Sequence, residues 1–105
     1  MNELLAVYGT LRVPLAPYQV GYDTILGRMY SVHDAYPALV LDDSAGPVEV
    51  SIHSIPSWVL PRLDQYEGLE SGLYSRAKIN THLGPAWIYL YNKDVSQLKR
   101  ISHWR

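Results

Sequence analysis

The sequence predicts an α+β fold, a small mixed β-barrel with one or two flanking helices. Three observations lead there. Six short segments carry β-like patterning, two segments carry helical spacing, and 105 residues leave room for one core only, so residues 1–105 are expected to form a single domain.

Each element follows from a local pattern. Leu4–Tyr8 is an apolar run that stops at Gly9-Thr10 and reads as the first strand. Ile25–Val32 and Ala38–Leu41 read as the second and third, with Tyr36-Pro37 at their join. Asp42-Asp43-Ser44-Ala45-Gly46-Pro47 is a turn by composition. Val48–Ile55 alternates, with Val48, Val50 and Ile52 on one face and Glu49, Ser51 and His53 on the other, which sends His53 towards solvent. Within Ser57–Glu67 the spacing predicts a helix that stops at Gly68, a favourable residue just past a helix end. Pro61 either opens a short helix or disturbs the first turn of a longer one. Leu73–Ile79 and Ala86–Tyr91 are expected to form a hairpin around His82-Leu83-Gly84-Pro85, with Trp87, Tyr89 and Tyr91 sharing a face. A second helix is expected from Asp94, with Gln97 as a capping-box-like partner and Val95, Leu98 and Ile101 at helical spacing.

Composition narrows the chemistry. A net charge of −1 and scattered basic residues give no footprint for nucleic acid or an anionic membrane, and the terminal ISHWR adds too little to change that. Without cysteine there are no disulfides, thiol nucleophiles or thiolate metal sites. MNELLAVYG has Glu3 where a signal peptide carries positive charge, and no apolar run approaches the ~20 residues of a membrane span, so a cytoplasmic protein is expected. Nine Tyr and three Trp accompany no Phe. Either the core uses Tyr in place of Phe, or these amphipathic rings wall a polar pocket.

One carboxylate stands out. In SWVLPRLDQYEG, at about 100° per residue, Leu60, Leu63 and Glu67 fall on one helical stripe, whereas Arg62 and Gln65 point away. A carboxylate held on an apolar face has its charged form disfavoured, and its pKa rises towards the range of a general base. Asp64, roughly 60° away by the same rotation, is expected to push in that direction too. The competing reading is a last-turn Glu that frays outward beside Gly68. His33, His53, His82 and His103 have no ligand spacing, so no metal site is expected. No nucleophile elbow, dinucleotide fingerprint or P-loop occurs, so no cofactor is expected either. Trp58, Trp87 and Trp104 are read as packing residues.

Taken together, YGTLR after the first strand, then YPALVL, then LDQYEG with LYSR after it, resemble the γ-glutamylcyclotransferase-like family, which includes AIG2-like and γ-glutamylamine cyclotransferase proteins. The resemblance runs from Leu4 to about Tyr91. It implies a pocket in the barrel mouth and a catalytic Glu at Glu67. It also implies substrate-binding positions at Tyr8, Gly9, Thr10, Leu11 and Tyr74, with Arg12, Tyr36, Arg76 and Tyr91 in supporting places. The implied partner is a small γ-glutamyl compound, converted to 5-oxoproline and a free amine without metal or organic cofactor. A non-catalytic ligand-binding or interaction protein of the same fold is the alternative. The chain departs from the family pattern at Val13-Pro14-Leu15-Ala16-Pro17-Tyr18, where two prolines oppose a helix, and at Pro47-Val48-Glu49, where a Gly-Glu pair is usual.

Overall fold

In a computed structural model, which describes residues 1–104, the elements are β1 (Asn2–Val7), β2 (Gln19–Val32), β3 (Tyr36–Leu41), β4 (Pro47–Pro56), α1 (Leu60–Tyr66), β5 (Tyr74–Thr81), β6 (Gly84–Tyr91) and β7 (Lys99–Ile101). Arg105, the last residue of ISHWR, lies outside the described residues. The strands form one sheet in the order β3-β2-β4-β1-β6-β5, with β7 added on β2. It is mixed, because β1 and β6 run parallel and meet at Leu5 and Trp87, while the other neighbours are antiparallel.

Sharing of β2 curls this sheet. Gly21–Leu26 pairs with β4 and Gly27–Val32 with β3, so one long strand serves two neighbours in series. Gly27 stands at the change-over, where a Cβ would come within 2.9 Å of the Val40 carbonyl oxygen. The two ends of the sheet then meet. The hydroxyl of Tyr74 on β5 donates to the carbonyl of Pro37 on β3 at 2.6 Å, giving a curled half-barrel with one short helix.

Both faces of the middle strands are covered, which explains the continuous apolar run LLAVY. Ala6 and Tyr8 join Met29, Leu39, Val50 and Ile88 inside the curl. Leu5 and Val7 point the other way, under Leu15, Ile55, Leu60, Tyr74 and Tyr89. Each fully buried Leu or Ile contributes about 1.5–3 kcal/mol relative to exposure.

Several expectations are corrected here. There is no helix at Asp94. Its carboxylate accepts from the Ser96 N–H and hydroxyl, both at 2.9 Å, closing a turn, and the chain runs on into β7 against Met29–Ser31. The free side of β2 offers a backbone ladder, and Val95 and Leu98 still bury their side chains against Tyr30, Val32 and Ala38 without helical spacing. With β7 the sheet has seven strands, where the sequence predicts six. His53 is fully buried rather than solvent-facing, because the segment carrying Leu15 lies over that face of β4. Trp58 is 65% exposed, with Arg62 stacked 5.3 Å from its ring, so it is not a packing residue.

Other details follow the local chemistry. Pro61 sits in the first turn of a short helix, and Gly68 takes φ +71° just past its end. The proline-containing segment forms only two short 3-10 turns, Thr10–Arg12 and Ala16–Tyr18. Among the described residues, no helix is long and apolar enough to cross a membrane.

Candidate active site

Where β1, β3, α1 and β5 converge, a cavity of about 170 Å³ opens. Tyr8, Gly9, Thr10 and Leu11 form one wall, and Tyr36 and Pro37 from β3 form the second. Tyr66 and Glu67 at the end of α1, with Leu73, Tyr74 and Tyr89, complete it. The expected residues Glu67, Tyr8, Gly9, Thr10, Leu11, Tyr74 and Tyr36 are thus brought together. Arg12, Arg76 and Tyr91 are not among the lining. Pro37, Tyr66 and Tyr89 join the site without being expected from the sequence, although the face shared by Trp87, Tyr89 and Tyr91 holds the signal for Tyr89.

Glu67 ends α1, its N–H donating to the Leu63 carbonyl at 2.8 Å, and its side chain lines the cavity half-buried. It does not fray outward. Burial raises its pKa from 4.5 to about 7. The expected push from Asp64 is absent: Asp64 faces Arg76 at 3.4 Å and accepts the Tyr89 hydroxyl at 2.8 Å. Among the described residues no Arg, Lys or His lines the cavity, so Glu67 is a lone carboxyl there with no cation in the lining.

The surrounding tyrosines are neutral acceptors. Desolvation, with Glu67 nearby, pushes the phenols of Tyr8 and Tyr74 well above their ordinary range, and burial with the Asp64 hydrogen bond does the same to Tyr89. Each proton is already committed. Tyr8 donates to the Tyr89 carbonyl at 2.6 Å, Tyr74 to Pro37, and Tyr89 to Asp64. These three hydroxyls therefore do not donate to Glu67.

Gly9, Thr10 and Leu11 line the same cavity. The Gly9 and Leu11 carbonyls accept from Arg12 and Leu15 N–H at 3.0 and 3.1 Å. Among the described residues no hydrogen bond outside the strand ladders uses the N–H groups of Gly9, Thr10 or Leu11.

The remaining named residues brace the walls. Arg76 stacks 4.5 Å over Trp87 while holding Asp64, and Tyr91 and Tyr36 meet the Tyr74 ring edge-on at 5.4 and 6.2 Å. Among the described residues no cluster of three His, Cys, Asp or Glu is arranged to hold a metal. Tyr74→Phe leaves the buried Pro37 carbonyl without its donor and is expected to cost about 1–3 kcal/mol in urea unfolding. An unchanged midpoint would show that the tie is unimportant.

Comparison with known proteins bears on the chain as a whole. The sequence model described as "Gamma-glutamyl cyclotransferase, AIG2-like" matches residues 5–105. A Vibrio cholerae protein named "Putative gamma-glutamylcyclotransferase" is 32% identical over 101 residues, covering 89% of this chain and 85% of that protein. The solution structure of protein ytfP from Escherichia coli superimposes with a TM-score of 0.77 at 29% identity, over 95% of this chain and 92% of that one. An uncharacterized protein from Pyrococcus horikoshii, PH0828, does so with a TM-score of 0.76 at 25% identity, covering 95% and 86%. With its fold shared along nearly its whole length and the family pattern matched from Leu5 onward, the chain belongs to the gamma-glutamyl cyclotransferase, AIG2-like family.

Proposed function

We propose that this protein cyclises the γ-glutamyl unit of a γ-glutamyl amine or γ-glutamyl amino acid, releasing 5-oxoproline and a free amine, with Glu67 as general acid/base and no cofactor. The observation that carries the reading is a carboxyl with a pKa of about 7 in the same cavity as the Gly9–Leu11 amides. The substrate is a small molecule, and the site makes no use of nucleic acid or membrane.

The chemistry follows from Glu67 and the Gly9–Leu11 loop. The α-ammonium of the substrate docks against Glu67, which takes one proton and frees the amine. That amine attacks its own γ-carbonyl carbon, and the forming C–N bond closes a five-membered ring. Holding the folded conformer supplies much of the rate, because the reaction is intramolecular. Charge developing on the carbonyl oxygen is received by N–H groups of the Gly9–Leu11 loop. Glu67 then returns the proton to the leaving nitrogen as the old C–N bond breaks, and the second proton, shed by the ring nitrogen as it becomes the lactam N–H, leaves with the amine as its ammonium. A cavity of about 170 Å³ is close to the roughly 150 Å³ that accommodates benzene, so it suits a ring of this size with the leaving group at the mouth.

The test is incubation with a panel of γ-glutamyl amines and amino acids, following 5-oxoproline. Release from at least one is expected, and none from a folded protein would refute the reading. With the best substrate, kcat/KM should rise with pH through about 7 as Glu67 loses its proton. A flat profile between pH 5 and 8 would exclude Glu67 as the titrating base.

A further inference from the structure

Outside the cavity, the most deeply buried titratable side chain is His53, with no exposed surface, next to Ser51 on the same face of β4. Burying an imidazole costs free energy unless both ring nitrogens find partners, and a Leu would fill the space with no such demand. The partners here are specific. Nδ1 lies 2.7 Å from the Leu15 carbonyl, an oxygen that only accepts, so Nδ1 carries the proton. Nε2 lies 2.9 Å from the Ser51 hydroxyl, whose oxygen is also 3.2 Å from the Val7 carbonyl. Burial, with Arg12 nearby, lowers the His53 pKa and favours the neutral ring, in which Nε2 accepts from Ser51.

Val7 and Leu15 are the two ends of the segment whose start, Tyr8–Leu11, walls the cavity. Its Val7 end is paired with Ser51 in the β1–β4 ladder and the Leu15 side chain packs in the core with Leu5, Ile55 and Leu60, but polar ties from the stretch between them to the sheet are few. Pro14 and Pro17 have no N–H, and its own hydrogen bonds, Arg12 to Gly9, Leu15 to Leu11 and Ala16 to Val13, are internal and do not reach the sheet. We propose that His53 is a positioning residue which, with its ring fixed by the Ser51 hydroxyl, clasps the Leu15 end of this loop to β4 through Nδ1–H and the Leu15 carbonyl, and so sets the direction of the Gly9–Leu11 amides. The proposal rests on the cyclotransferase reading for its kinetic consequence, but its structural consequence is independent of turnover.

The experiment compares His53→Leu, His53→Asn and Ser51→Ala with the parent. It measures kcat and KM on the best γ-glutamyl substrate, and hydrogen exchange by NMR of the Arg12 and Leu15 amides, which donate to the Gly9 and Leu11 carbonyls. His53→Leu is expected to lower kcat about a hundredfold with a smaller change in KM, and to speed loop exchange. Asn places its amide nitrogen where Nδ1 stands, so His53→Asn should recover most of the kcat and the slow exchange. A merely space-filling role predicts the reverse order, because Leu fills the site better than Asn. Parent-like kcat and exchange in His53→Leu, or Asn no better than Leu, overturns the proposal. Should His53→Leu not fold, Ser51→Ala decides: about a tenfold loss of kcat with faster loop exchange supports the clasp, and parent-like behaviour overturns it. If the parent releases no 5-oxoproline, the cyclotransferase reading fails alone, and the loop exchange rates still decide the clasp.

Discussion

Glu67→Gln is expected to abolish 5-oxoproline release and, in the same protein, to stabilise the fold above pH 7. The amide is nearly isosteric but takes no proton, so turnover should fall by about 10²–10⁴-fold. The stability effect follows from linkage. In the folded state the carboxyl titrates at about 7, raised by burial from 4.5. A raised carboxyl pKa means the folded state holds the proton more tightly, so this contribution is fully present below about 4.5 and is lost as pH rises through about 7. At pH 8 the parent therefore buries an unpaired carboxylate, at a cost of at most about 3 kcal/mol for a shift from 4.5 to about 7. Gln never ionises. The melting temperature of the variant should exceed the parent's by up to on the order of 10 °C at pH 8, and the two should converge near pH 4.5. Melting curves across that range, with product release measured alongside, check both halves. Retained turnover removes Glu67 from the chemistry, and a pH-independent difference in melting temperature removes the burial argument.

That opposition of stability and activity is what a site carboxylate without a counter-ion should produce. Its legibility in the sequence is uneven for physical reasons. Leu60, Leu63 and Glu67 share a stripe fixed by the 3.6-residue repeat alone, so the burial of Glu67 is readable within eight residues. Asp64 is not readable in this way, because its partners, Arg76 and the Tyr89 hydroxyl, come from β5 and β6, and local rotation says nothing about them. His53 escapes for a related reason. A period of two assigns a residue to a face of β4, but whether that face meets water depends on a loop that crosses it, here the one carrying Leu15. At Asp94 the capping pattern is real as local chemistry, since the carboxylate does bond the backbone ahead of it. Pairing with β2 then decides between turn-plus-strand and helix. Gln19–Thr24 does not read as strand because Gly21 and Asp23 lower its intrinsic propensity, which pairing with β4 overrides. Gly9 is legible as permissive, but the reason it must be glycine is not, because that reason lies in Pro37.

Gly9→Ala is the second large effect expected. At Gly9 φ is −137°, outside the left-handed region, and the constraint the structure shows is contact. A Cβ there would lie 2.5 Å from Cγ and 3.1 Å from Cδ of Pro37. The proline ring cannot rotate aside, and its carbonyl is held by the Tyr74 hydroxyl at 2.6 Å. The loop must therefore move away from β3, at an overpacking cost of about 1–3 kcal/mol. The same movement carries the Thr10 and Leu11 amides off the reacting carbonyl, and a displacement of about 1 Å is enough for a hundredfold loss of turnover. A second change isolates the cause. In Pro37→Ala the clashing ring atoms are gone, while the Cβ that remains would stand 3.9 Å from a Cβ at position 9, an ordinary contact. The double variant should recover part of both the stability and the turnover that Gly9→Ala loses, a coupling measurable as a double-mutant cycle. Additive losses would mean that Gly9 is needed for something other than its approach to Pro37, and the placement of the loop would then have to be assigned to a different constraint.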